Sequence, residues 1–296
     1  LGAFNLQPAA EAFYGSCDAM VVAGSRLRSN ETNRYSLKLP SPLYQIDVDP
    51  AAEGRCYPTD SFICGDAALA LDGLADRLED RFSPDETFAG DIRTARGAAE
   101  NELRATLGPY NHVLDAVISA APKDFVWVRD ITLSNSTWGN RLPRLDSPLN
   151  GVHALGGGIG QALPMAIGAA LAVQAAGRKT LVLAGDGGFA VTLGELATAR
   201  QENADIGILL MNDGGYGVIR NIQAARFDGR QVYADLLNPD FGRLCAALDI
   251  PHWGVGNGTD LAAALESAIA VDGPAVVEAN MQAFGDFAEP FAGPPA

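Results

Sequence analysis

Apolar positions in this chain gather in short uninterrupted runs, each closed by a glycine, aspartate or asparagine cluster. Met20-Val-Val-Ala23 and Tyr44 to Val48 read as two strands near the start, and Phe125 to Val128, Leu181 to Ala184, Ile206 to Met211 and Ala275 to Glu278 read as four more. Between them the apolar spacing turns helical over Ala67–Leu78, Tyr110–Ala121, Pro239–Leu248 and Thr259–Ala270. Strands alternating with helices predict an α/β fold built on parallel sheets. Residues 83–108 are charged and poor in large apolar side chains, which reads as a linker with some helix. The Pro-rich end, from about residue 286, reads as an irregular tail.

Two of these runs end alike. Leu181 to Ala184 runs into Gly185-Asp186-Gly187-Gly188, and Ile206 to Met211 runs into Asn212-Asp213-Gly214-Gly215. The stretch 188–211 has room for one helix and the return strand of a βαβ unit. A parallel crossover sets both turns at one sheet edge, beyond the carboxyl ends of the strands, where ligands of α/β folds bind. Glycines let the backbone approach a ligand closely, and the amides opening the next helix can take phosphate oxygens. Asp186 would repel a bare phosphate, and a hard cation such as Mg²⁺ resolves that conflict by bridging carboxylate and diphosphate.

Two other readings of the same residues stand beside this one. Asp186 and Asp213 can be a turn residue and a helix cap, both ordinary uses of aspartate. Gly185-Asp-Gly-Gly-Phe-Ala190 also fits the dinucleotide fingerprint, with Asp205 as the ribose-binding acid, which would make the chain a nicotinamide oxidoreductase. Against that reading stand the acid inside the phosphate turn and the position of Asp205 before its strand.

The paired Gly-Asp-Gly and Asn-Asp turns, with NDGGYG at the end, resemble the signature of thiamine-diphosphate-dependent enzymes of the acetolactate synthase, pyruvate decarboxylase and benzoylformate decarboxylase group. Leu155-Gly-Gly-Gly-Ile-Gly160 and the helix after it resemble that family's glycine-rich segment, and Tyr44 to Pro50 and Cys64-Gly-Asp-Ala67 resemble two landmarks of its middle domain. The resemblance runs from about residue 17 to about residue 280. It implies a parallel-sheet diphosphate-binding domain over 109–285, preceded by part of a Rossmann-like middle domain over 1–85, a linker over 86–108 and a tail over 286–296. The implied cofactors are thiamine diphosphate and Mg²⁺.

Carried onto this chain, the resemblance makes Asp186, Asp213 and the main-chain carbonyl of Gly215 the metal ligands. The family usually has asparagine where Asp213 stands, so this chain adds a negative charge there. Gly187 and Gly188 would meet the diphosphate, with Gly185 and Tyr216 beside it. Ile159 would prop the cofactor in its bent shape, flanked by Gly158, and the Gly157 carbonyl would accept from the aminopyrimidine. Thr132, Ser134 and Asn135 fall near further diphosphate and substrate contacts. For Ile159 and Met165 taken alone, plain helix packing is the simpler reading. His153 could serve a substrate as acid or base, yet no partner is visible and a structural role is the simpler reading; His112 and His252 read as structural.

The resemblance implies a lyase or carboligase acting on a 2-oxo acid, with the thiazolium as electron sink. A non-catalytic cofactor-holding homologue is the alternative within the family. The glutamate that activates the cofactor lies, in the family, in a pyrimidine-binding domain that no segment here resembles. That half is expected earlier in the same longer chain or on another subunit, the chain alone is expected to be inactive, and a homodimer or homotetramer is expected.

Composition narrows the classes further. At 296 residues the length suits about two domains. Hydrophobic residues make up 48% and charged residues 19%, enough to build packed cores. A net charge of −15 argues against nucleic acid and against anionic membrane surfaces as partners. No apolar run is long enough for a membrane-spanning helix, and Cys17, Cys56, Cys64 and Cys245 show no framework spacing, which fits reduced thiols and a cytoplasmic setting.

Overall fold

The computed structural model describes residues 1–83, 85–256 and 258–293. The chain divides into two units, Leu1–Leu103 and Arg104–Gly293. Both are α/β with wholly parallel sheets.

In the first unit, β1 (Met20–Ala23), β2 (Leu43–Asp47) and β3 (Ser61–Cys64) form a sheet in the order β1-β2-β3. Val22, Leu27 and Leu43 pack into one buried cluster, while helix α1 (Pro8–Tyr14) packs Ala10 and Tyr14 on Leu37. The two landmarks of the sequence have local structural causes. Asp49 accepts from the Ala51 amide at 2.9 Å and so opens a turn at Pro50. Asp66 accepts from the Leu69 amide at 3.0 Å and caps α2 (Ala67–Leu78). The stretch expected as linker contains an 18-residue helix, α3 (Phe88–Ala105), of which only Ala99 and Leu103 are buried. So small a buried stripe explains why its apolar periodicity is faint.

The second unit is built on six strands: β4 (Val126–Arg129), β5 (Gly151–His153), β6 (Thr180–Gly185), β7 (Ile206–Asn212), β8 (His252–Val255) and β9 (Ala275–Asn280). Their order is β5-β4-β6-β7-β9-β8. The chain leaves β4 for β5 on one side and β6 for β7 on the other, so the order reverses between β4 and β6. That is the point where open α/β sheets bind ligands, beyond the carboxyl ends of the strands.

Helix α4 (Tyr110–Ala120) opens this unit, and α5 (Ala162–Val173) links β5 to β6. The crossover from β6 to β7 holds two short helices, α6 (Asp186–Val191) and α7 (Glu195–Gln201), where the sequence suggested one. After β7 come α8 (Gly217–Arg226) and α9 (Phe241–Ala247), then α10 (Gly258–Ile269) between β8 and β9, and α11 (Met281–Phe284) at the end. Val126, Val128, Val182, Ala184, Ile206, Ile208 and Leu210 point one way into a core closed by Leu163, Ala166, Ile167, Phe189 and Leu196. Burial of these strands on both faces accounts for their uninterrupted apolar runs. No helix among the described residues is long and apolar enough to cross a membrane.

Candidate active site at the carboxyl edge of the sheet

Register fixes the site. Gly185 pairs with Met211 across β6 and β7, so the turns that follow, at Asp186 and at Asp213, leave the sheet side by side. Asp186 is 1% exposed, and its Oδ2 accepts from Asn238 Nδ2 at 2.6 Å. Asp213 Oδ1 accepts from the Gly215 amide at 3.1 Å, and its Oδ2 lies 3.0 Å from Arg220 Nη2. Burial, and then the charge of Asp186 facing it, push the Asp213 carboxyl up to about 6 despite the Arg220 guanidinium. Two acids therefore meet, and Arg220 pairs with one of them, Asp213.

Two glycines are required by close approach. A Cβ at Gly217 would stand 2.0 Å from Asp213 Oδ2, and one at Gly188 would stand 2.7 Å from Asp130 Oδ2. Asp130 follows β4 and is buried; its two oxygens accept from the Gly160 amide at 3.1 and 2.9 Å, and Oδ1 also accepts from the Ile131 amide at 2.8 Å. Burial raises its carboxyl, against the pull of these amides. Asp130 thus holds the glycine-rich segment through Gly160 while lying close against Gly188. On the other side Gln161 folds over that segment, donating through Nε2 to the carbonyls of Leu155 and Gly158 at 2.9 Å each.

The result is a cavity of about 200 Å³ lined by Gly157, Ile159, Gly185, Asp186, Gly187, Gly188, Asp213, Gly215 and Tyr216, with Thr132, Met211 and Met281 among its other walls. Of the residues singled out in the sequence for the cofactor and metal, Gly158 alone is not on this wall; its carbonyl faces Gln161 instead. Ile159 is 38% exposed and presents an apolar side chain to the opening. Met165 packs against the core.

Other candidates fall elsewhere. Ser134 and Asn135 are buried behind the cavity; Asn135 Oδ1 accepts from Arg129 Nη1 at 3.0 Å, and Ser134 Oγ has no partner among the described residues. His153 is exposed on β5 and His112 is exposed on α4, neither on the cavity wall. His252 Nε2 pairs with Glu278 Oε2 at 3.0 Å. Asp205 lies before β7, at the amino end of the sheet, in an ion pair with Lys179. An acid at that end cannot reach a ligand seated on the 185–190 turn, which removes the residue the nicotinamide reading relied on.

Two residues that shape the site, Asn238 and Arg220, carry no sequence signal of their own; Asn212 belongs to the Asn-Asp turn, but its side-chain bonds to Asn238 and Glu278 could not be read from it. Among the described residues no group of three or more His, Cys, Asp or Glu side chains gathers to hold an ion.

Residues 133–279 match the model of the thiamine pyrophosphate enzyme family, C-terminal TPP binding domain. The chain is 32% identical over 233 residues to a probable 2-ketoarginine decarboxylase of Pseudomonas aeruginosa, covering 77% of this chain and 40% of that protein. It is 26% identical over 245 residues to the acetolactate synthase large subunit of Mycobacterium tuberculosis, covering 78% and 39%. With the chloroplastic acetolactate synthase of Arabidopsis thaliana it shares 25% over 283 residues, covering 88% and 41%. The chain thus spans about two-fifths of the length of these relatives.

Proposed function

The chain belongs to the thiamine-diphosphate-dependent enzyme family, as its C-terminal portion, and from that premise we propose that it forms the Mg²⁺- and diphosphate-binding half of a lyase or carboligase acting on a 2-oxo acid. The observation that carries this reading is the meeting of Asp186 and Asp213 at one end of adjacent strands, inside a glycine-walled cavity. With the Gly215 carbonyl they make an all-oxygen donor set, the kind a hard divalent cation takes. Their mutual repulsion is what such a cation would relieve. The residues present therefore fit the group.

In this reading Asp186, Asp213 and the Gly215 carbonyl hold Mg²⁺. The amides of Gly187 and Gly188 meet the diphosphate between Gly185 and Tyr216. Ile159 supports the bent cofactor, Gly158 keeps the loop in place, and the Gly157 carbonyl accepts from the aminopyrimidine. When bound, the cofactor supplies an electron sink for breaking or making a C–C bond next to a carbonyl. This chain contributes placement, charge balance and the apolar side chains of Ile159, Met211 and Met281 on the cavity wall.

The pyrimidine-binding domain with its activating glutamate belongs to the same proposal, supplied by a longer chain or by another subunit. So do a homo-oligomeric state and a cytoplasmic setting. Relatives named for acetolactate synthesis and for 2-ketoarginine decarboxylation support a 2-oxo acid as the substrate class. The test is calorimetric titration of thiamine diphosphate into the full chain, with and without Mg²⁺. Binding that requires Mg²⁺ and disappears in Asp186→Ala is expected. Metal-independent binding of NADH in its place would overturn the proposal.

A further inference from the structure

We propose that Asn238 is a positioning residue for the acid pair, tying the Asp186 turn to the Asp213 turn through one side-chain amide; this rests on the metal reading just given. Its Nδ2 stands 2.6 Å from Asp186 Oδ2 and 3.2 Å from Asn212 Oδ1. One NH₂ group therefore bonds the carboxylate at the end of β6 and the residue that closes β7.

The chemistry at position 238 is constrained from both sides. Asn212 Oδ1 also accepts from the Gly214 amide at 3.0 Å, and Asn212 Nδ2 donates to Glu278 Oε1 at 2.7 Å, which fixes which end of the Asn212 amide faces Asn238. Glu278 Oε2 in turn meets His252 Nε2 at 3.0 Å. Asn238 thus faces an oxygen on each side and must bring two N–H donors. A hydroxyl brings one donor, and an aspartate brings a third negative charge.

The backbone delivers this side chain to its place. The Tyr216 amide donates to the Ala234 carbonyl at 2.8 Å and the Leu236 amide to the Gly214 carbonyl at 2.9 Å, so the segment 234–236 lies as a strap along the 214–216 turn. Asp240, two residues on, accepts from the Arg243 amide at 2.9 Å and caps α9. Asn238 is therefore held from both directions, with its amide on the two turns. By donating to Oδ2, it sets the direction of the Asp186 carboxylate. That carboxylate is thereby held facing Asp213.

The experiment titrates Mn²⁺ into the full chain with thiamine diphosphate present and reads free Mn²⁺ by electron paramagnetic resonance. Loss of a partner that orients a metal ligand costs 10- to 100-fold in metal affinity. Asn238→Leu, which keeps the shape and removes both donors, is expected to weaken Mn²⁺ by at least about 10-fold. Asn238→Gln, which keeps both donors, is expected to recover most of that loss. Asp240→Ala removes a helix cap in the same segment, and is expected to lower the melting temperature while leaving Mn²⁺ affinity unchanged. Wild-type affinity in Asn238→Leu, or an equal loss in Asp240→Ala, overturns the role of Asn238. If wild type and Asp186→Ala bind Mn²⁺ alike, the metal reading itself fails and the role of Asn238 falls with it.

Discussion

Arg220 Nη2 lies 3.0 Å from Asp213 Oδ2 and 2.8 Å from the main-chain carbonyl of the same residue. The guanidinium holds the turn at two points while its Nη1 reaches Asp235 at 3.3 Å. Arg220 supplies the positive charge beside the Asp213 carboxylate. Removing one partner of a largely buried pair leaves the other charge uncompensated. Arg220→Ala is expected to destabilise the metal-free chain by about 2–4 kcal/mol, below or within the usual range for breaking a buried pair. Urea unfolding checks this, and Mg²⁺ with thiamine diphosphate should restore more stability to the variant than to wild type.

Glycine substitutions separate the site from the scaffold. Gly217→Ala places a Cβ 2.0 Å from Asp213 Oδ2, so either the carboxylate or α8 must move. Cofactor affinity measured by calorimetry should fall by more than about 10-fold, the scale seen when a metal ligand loses its orientation. Gly168, inside α5, has open space where its Cβ would go. Gly168→Ala should instead stabilise the chain by about 0.5–1 kcal/mol with cofactor binding unchanged.

Glu278 sets an acid limit on stability. The hydrogen bond from His252 holds its carboxyl below the usual range, with Asn212 adding to the effect against the opposing pull of burial. A depressed folded pKa gives a contribution that is complete above the unfolded value, about 4.3 for glutamate, and is lost as pH falls through the folded value. Glu278→Gln should therefore flatten the fall in stability below about pH 4, measured as urea midpoints across the acid range. An acid limb as steep as wild type would show that other carboxylates dominate.

Thiol reactivity offers a check on the core. Burial, helped by the nearby Glu278 charge, pushes the Cys245 thiol up to about 11, whereas Cys64 is exposed. The thiolate is the reactive form. At pH 8, iodoacetamide with mass mapping should label Cys64 and spare Cys245 until denaturant is added. Labelling of Cys245 at the same rate would mean that the α9 face opens readily.

What could be read from the sequence was what burial writes into composition. β6 and β7 carry unbroken apolar runs because both faces are covered, and their acidic turns were legible as a pair because a parallel crossover leaves little choice about where they emerge. β5 was not legible: it has three residues, one a glycine and one an exposed histidine, and its one neighbour in the sheet is β4. β8 carries only one buried residue and lies at the other edge. Asn238 and Asp130 escaped for a different reason. Each acts on a residue far away in the chain, 52 positions for Asn238 on Asp186 and 30 for Asp130 on Gly160, and no local pattern encodes such a meeting.

Every strand pair of the six-stranded sheet runs parallel, so none can zip up from a hairpin. Loop closure must precede each pairing, and contacts of long sequence separation form slowly. The cavity at the carboxyl edge needs these pairings in place, so added thiamine diphosphate is expected to slow unfolding without hastening refolding, measured by stopped-flow fluorescence.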